Sequence, residues 1–400
     1  MKPGARSTPS RTLAAGLLVT LLGCASGIGV DDFIVPTFHS YFAVAAADLD
    51  GRGQVQVAAT DFLSGTGNHS HSVALLAGAG GGVPRLADRL TLTQSPNAVV
   101  YGDLDGDGLQ DLVVLTAEYN EPSHLQIYLQ DPARPGSFLT PQVVALPAGG
   151  GNLCLADLDG DGRLELLTWA GGTWSLHQDP VRRGTFLAPV ALPGIPQGFL
   201  VAADLNGDGR TDLAVAAADQ TLRIFLQDPA SGTLVAGPVH NLAGVPLAFC
   251  AGDLNGDGRP DLALALRTTV SPSAGSIVVY AQAPGSAGSF QAVATGLTFT
   301  GGLGFSGLVF ADLDGDGRGD LAYTQVGPGV LSISLQQAGS PGVFGPRTDR
   351  GGFSVPGALL AADLDGDGRQ DLLVASSSLD LLRQDPARSG TFLAPVRLLP

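Results

Sequence analysis

Lysine is nearly absent from this chain: Lys2 is the single copy, and Lys and Arg together number 21 against 37 Asp and Glu in 400 residues. The formal net charge of −16 excludes a nucleic-acid partner held through its phosphates, which needs a basic surface. No lysine past residue 2 can serve as a catalytic base. Cysteine is scarce as well, and Cys24, Cys154 and Cys250 are too few for a disulfide framework. Charged residues make up only 14% of the chain, which leaves little material for solvated helical faces. After residue 24, no apolar run reaches the roughly 18 residues of a transmembrane helix. There is no G-x-S-x-G elbow, no H-E-x-x-H and no cysteine with an evident base, so the chain reads as non-enzymatic.

What is present in quantity is glycine, 57 residues, with Val, Leu and Thr in short runs. That combination argues for turn-rich, all-β structure. The N-terminus reads differently. Lys2, Arg6 and Arg11 precede an apolar core from Leu13 to Leu22 that is too short to span a bilayer, which is the pattern of a signal segment. Leu21-Leu22-Gly23-Cys24 resembles the bacterial lipobox, in which the cysteine is lipidated and becomes the first mature residue. Residues 1–23 are therefore expected to be a signal peptide, 24–32 a tether, and Cys24 the lipidation site. Export to the cell envelope follows, as an outer-membrane lipoprotein facing the periplasm or the surface. Cleavage near Ala25 or Ser26 would instead give a freely secreted protein.

From Asp48 onward one motif recurs, restarting at Asp103, Asp157, Asp204, Asp253, Asp312 and Asp363, with a period of about 50 residues. Each copy sits between two apolar runs, and two further strand-like runs follow it. Four short strands per period is the signature of propeller blades. The expected fold is a seven-bladed β-propeller of four-stranded antiparallel blades over residues 33–400. The third strand ends in Gln-Asp-Pro at 130–132, 178–180, 227–229 and 384–386, with a decayed copy at 282–284; Asp before Pro suits a type I turn. Phe33-Ile34-Val35-Pro36 looks like a truncated fourth-strand opening that helps close the ring. Cys154 and Cys250 align with Ala45, Val100, Val201, Val309 and Leu360, which are core positions.

The motif carries the chemistry. In Asp103-Leu-Asp105-Gly-Asp107-Gly-Leu109-Gln-Asp111, carboxylates fall at positions 1, 3, 5 and 9, and position 7 adds a main-chain carbonyl. Calcium takes six to eight hard oxygens, and this spacing wraps one loop around one ion. The same set recurs in Asp157, Asp159, Asp161 and Glu165; in Asp204, Asn206, Asp208 and Asp212; and in Asp253, Asn255, Asp257 and Asp261. Asp312, Asp314, Asp316 and Asp320, then Asp363, Asp365, Asp367 and Asp371, complete six loops. The seventh-position carbonyls belong to Leu109, Arg163, Arg210, Arg259, Arg318 and Arg369. The first copy has Arg52 and Gln56 at positions 5 and 9, so about six Ca2+ are expected and none in blade 1, where Arg52 would act as an internal counter-ion. Six ions would cancel most of the net charge. An EF-hand is excluded, because position 12 is Val114 or Val374 where that motif has Glu, and a strand follows the loop where it has a helix.

The D-L-D-G-D-G-R-x-D-L copies resemble FG-GAP/VCBS repeats, found in integrin α-subunit propellers and bacterial surface proteins. That resemblance, over about residues 33–400, implies calcium between the first and second strands of each blade and a role in adhesion or ligand binding. The regular calcium loops and Gln-Asp-Pro turns share one face. The opposite face carries the dissimilar segments Leu63–Ser72, Ala117–His124, Arg267–Ser276 and Thr298–Gly307, so the ligand site is expected there. Trp169 and Trp174 on that face are a candidate sugar contact, or else a cross-strand packing pair; His69 and His71 offer a second candidate metal site, or else simply a polar exposed loop. The expected partner is a protein or a glycan, with no nucleic acid, with membrane contact only through the lipid, and with the chain a monomer. The alternatives are a calcium-dependent polysaccharide lyase and a structural subunit of an envelope assembly.

Overall fold

The structure is a computed structural model that describes residues 38–49, 51, 53–64, 70–78, 82–118, 121–254, 257–270, 273–283, 288–300 and 305–400. The signal segment, Cys24, Phe33–Pro36, Asp50, Arg52, His69 and Asn255 lie outside the described residues. Among the described residues no helix is long and apolar enough to cross a membrane.

Seven four-stranded sheets follow one another around a ring, each built from consecutive antiparallel strands. The blades span residues 38–92, 96–148, 153–191, 198–241, 245–300, 305–351 and 359–399. Burial falls from the inside out. The second strands Asp111–Thr116, Asp212–Ala217 and Asp320–Gln325 are buried throughout, whereas the fourth strand Leu234–Asn241 is exposed or half-buried along its length. Inner strands are covered on both faces by neighbouring blades, so they read as continuous apolar runs; the outer strand meets water.

The core lies between blades. Position −3 of each motif faces the next blade: Ala45 packs between blades 1 and 2, Val100 between 2 and 3, Cys250 between 5 and 6, and Leu360 between 7 and 1. Blade 7 supplies its own fourth strand, Val396–Leu399. Among the described residues the ring therefore closes face to face, with Val44, Ala46, Val57 and Leu76 packed against Leu360, Leu373 and Leu381.

One expectation needs correcting. The long segments of blades 1 and 5 are largely β-hairpin. Pairing runs out to Leu63↔Ser70 in blade 1 and to Val270↔Ser273 in blade 5, so these blades extend beyond their neighbours on the face away from the motif loops. The β-branched and apolar residues that continue each strand explain the extension.

Candidate metal centres

The motif fills the turn between first and second strands: in blade 2 the first strand ends at Gly102 and the second starts at Asp111. Asp103 ties this turn to itself. Its Oδ1 accepts the Gly106 N–H at 2.7 Å and its Oδ2 the Gly108 N–H at 3.0 Å. Gly106 and Gly108 have φ of 74° and 88°, a region open to glycine at little cost. Asp107 Oδ1 accepts the Leu109 N–H at 2.8 Å, which fixes the residue whose carbonyl would complete a ligand set. Arg163, Arg210, Arg259, Arg318 and Arg369 donate in the same way to Asp161, Asp208, Asp257, Asp316 and Asp367.

The ninth-position carboxylate is the buried one. Asp111 is 1% exposed; its Oδ2 accepts the Leu104 N–H at 2.8 Å and its Oδ1 the Gln130 N–H at 2.7 Å. Asp212, Asp261, Asp320 and Asp371 repeat both bonds, joining loop and third strand. Burial pushes Asp111 and Asp371 up to about 7, Glu165 to about 8, and Asp212, Asp261 and Asp320 to about 6; neighbouring loop carboxylates add to the shift, while the backbone bonds oppose it.

Oxygens converge as the spacing requires. One ligand atom from each of Asp103, Asp105 and Asp111 lies within 4.8 Å of the others, and the same holds for Asp157, Asp159 and Asp161, for Asp312, Asp314 and Asp316, and for Asp363, Asp365 and Asp371. In blade 4, Asp204, Asn206 and Asp208 are linked through the Asp208 N–H and the Asn206 amide. Blade 5 shows Asp253, Asp257 and Asp261 in the same roles. An all-oxygen donor set around a buried carboxylate suits a hard cation.

Blade 1 keeps the shape without the ninth carboxylate. Gly51 and Gly53 have φ of 67° and 76°, the Gly53 N–H binds Asp48 Oδ2, and Gln56 Oε1 accepts the Leu49 N–H at 2.7 Å. Gln56 thus performs the structural half of the ninth position as a neutral group.

Sequence reading missed the glutamine of Gln-Asp-Pro. In blades 4 to 7 the side-chain amide at this position reaches the preceding blade: Gln227 donates to the Asp157 carbonyl, Gln282 to Leu205, Gln336 to Leu254 and Gln384 to Leu313. Each carbonyl belongs to position 1 or 2 of the neighbour's loop. Gln130 and Gln178 instead donate to Gln110 and Leu164 of their own blades. Gln336, in Gln-Gln-Ala, shows that blade 6 has the same device without Asp-Pro, and its bridge to Phe344 matches those of Gln130, Gln178 and Gln384. The residue before this glutamine also faces the loop: His177 in blade 3, and Arg383 in blade 7, where the guanidinium stands 3.5 Å from Asp365 Oδ2.

Other expected groups fall as follows. Trp169 pairs with Thr173 and Trp174 with Thr168, so the indoles point to opposite faces of blade 3 and do not pack as a pair. Both are half-buried; Trp174 donates to the Ala170 carbonyl at 2.9 Å, and Trp169 covers Gly151 so closely that a Cβ there would fall 1.8 Å from its Nε1. Cys154 and Cys250 are unbridged, and burial pushes the Cys154 thiol up to about 12. His71 meets Ser95 and Glu118: its Nδ1 lies 3.3 Å from the Ser95 hydroxyl, which also donates to Glu118 at 2.7 Å.

Residues 103–168 and 204–264 match the family model described as FG-GAP-like repeat. The chain carries FG-GAP repeats. The first matched segment runs from the loop of blade 2 into the second strand of blade 3, and the other from the loop of blade 4 into blade 5. No curated protein matches this FG-GAP propeller. Its fold is similar to that of a chain in the crystal structure of BBS1N in complex with ARL6DN, at TM-score 0.55 and 14% identity, covering 87% of this chain and 93% of that one. It is also similar to putative 6-phosphogluconolactonases of Bacteroides uniformis (TM-score 0.55, 12% identity, 82% and 92% covered) and Bacteroides fragilis (0.56, 13%, 83% and 93%). At these identities the likeness concerns the fold.

Proposed function

We propose that this FG-GAP propeller is a calcium-stabilised, non-enzymatic binding module, exported to the bacterial cell envelope and tethered through Cys24. The observation that carries the calcium reading is the contrast within one ring. The loops of blades 2, 3, 6 and 7 each bring three carboxylates within reach of one ion, and all six loops bury the ninth carboxylate, while blade 1 builds the same turn with neutral Gln56. Crowded carboxylates repel at short range, and a divalent cation turns that repulsion into cohesion.

In blades 2 to 7 the first, third, fifth and ninth side chains and the seventh carbonyl would hold the ion. Its chemistry is structural: it neutralises charge and fixes the turn. The ligand, a protein or glycan, belongs on the opposite face, where the hairpins of blades 1 and 5 give the surface its relief.

Chelation with EDTA should lower the melting temperature of residues 25–400, calcium should restore it, and calorimetry should count about six sites. A melt indifferent to both would refute the calcium reading. Binding on a glycan array or in an envelope pull-down should follow the folded state; capture that survives unfolding would refute the binding-module reading.

A further inference from the structure

We propose that the loop of blade 3 is a mixed nitrogen–oxygen site that selects a divalent transition cation such as Zn2+, unlike the all-oxygen loops around it. This deepens the metal reading above and rests on it. Two residues depart from the repeat together. Glu165 is the single glutamate at the ninth position, and His177 stands where Leu129, Leu226, Ala281 and Leu335 stand in sister blades.

The His177 Nδ1 lies 3.7 Å from Asp159 Oδ2 and 3.7 Å from Glu165 Oε1. These separations are too long for hydrogen bonds. They fit donors sharing one cation at about 2.0–2.2 Å each. All three ligand atoms lie within 4.8 Å of one another.

The glutamate supplies an independent sign. Glu165 is 1% exposed, and its Oε2 accepts the Leu158 N–H at 2.7 Å. Its Oε1 receives no hydrogen bond among the described residues, whereas Asp111 and Asp212 use that oxygen to accept the N–H of Gln130 and Gln227. The extra methylene carries the carboxylate past the backbone donor toward the imidazole. That oxygen faces the His177 Nδ1 at 3.7 Å, where one shared cation would bind both.

The histidine is aimed. Its Nε2 is 3.4 Å from the Oγ of buried Ser175. With the proton on Nε2 donated to that hydroxyl, Nδ1 turns its lone pair into the loop, as in metal-binding histidines whose other ring nitrogen is held by a hydrogen bond. Calcium has little use for an imidazole nitrogen, and first-row transition ions favour it. The rival arrangement is a protonated His177 acting as counter-ion, as Arg383 does beside Asp365.

The test is Zn2+ titration of EDTA-stripped, calcium-saturated protein, with bound metals counted after dialysis. The expected result is one Zn2+ that excess calcium does not remove, lost in His177→Leu, which restores the residue of three sister blades and keeps the fold. Ser175→Ala should weaken that Zn2+ about tenfold. Absence of retained Zn2+, or equal retention by His177→Leu, would overturn the proposal. Failure of the calcium reading shows separately: if the wild type takes up no calcium, the same Zn2+ titration without calcium still depends on His177 or does not.

Discussion

Two seams of the ring differ. Between blades 5 and 6, Gln336 Nε2 donates to the carbonyls of Leu254 and Gly319, both at 2.7 Å, and so stitches one blade's loop to the other's. Between blades 7 and 1 the equivalent residue is Gly78. A Cβ built there would lie 3.9 Å from the carbonyl of Leu364 and 3.9 Å from that of Val55, which are the two groups a glutamine would satisfy. The acceptors are in place and the donor is missing. Apolar packing holds the two blades face to face here without a glutamine bridge, and the amide bridge adds the alignment of neighbouring loops.

The largest effect is expected where a ninth carboxylate is lost. Asp320→Ala removes a proposed metal ligand and leaves the N–H groups of Leu313 and Gln336 without acceptors, so stability should fall by about 3 kcal/mol in calcium. Gln56→Ala, which strips one acceptor from a neutral loop, should cost about 1 kcal/mol. Equal losses in thermal unfolding would erase the distinction between the two loop types. Next comes the seam itself. Gln336→Ala orphans two buried carbonyls and should cost about 2 kcal/mol.

Gly78→Gln runs the comparison in reverse. Its Cβ meets only ordinary contacts and its φ is not positive, so a stabilisation of about 1 kcal/mol is expected, read as a raised melting temperature. No gain would mean that the seam lacks nothing. The smallest effect is kinetic. In protein beginning at residue 25, native thiols should stay silent to Ellman's reagent at pH 8, because burial raises both; Cys154, at about 12, is scarcely ionised there. A cysteine at Leu360, on the unbridged seam, should react faster than one at Val309, which faces the seam that Gln384 bridges. The reverse order would place the weak seam elsewhere.

Much of this architecture was legible in the chain. The period, the blade count and the loop donors follow from local patterns, because each blade is a run of consecutive strands and each loop closes on itself. Gln56 was recognised as neutral for the same reason. What escaped is what crosses between blades. Gln282 and Leu205 meet across 77 residues, and nothing in Gln-Asp-Pro distinguishes a turn former from a bridge. His177 was hidden in the same way: its neighbour Glu165 is 12 positions back, and only the strand register sets them face to face. The hairpin strands of blades 1 and 5 read as loops in sequence because Ser70, Ser72, Ser273 and Ser276 break the apolar runs.

The glutamine bridges have a thermodynamic consequence. Leu254 donates its N–H to Asp261 and offers its carbonyl to Gln336, whose own N–H binds Asp320. Leu313 then donates to Asp320 and accepts from Gln384, whose N–H binds Asp371. Each residue held by one loop's ninth carboxylate is thus tied through a glutamine to the next loop's ninth carboxylate, in one direction along blades 4 to 7. Ion uptake along this run should be cooperative between nearest neighbours, with a binding curve steeper than that of independent sites, and the coupling should stop where Gly78 interrupts the relay.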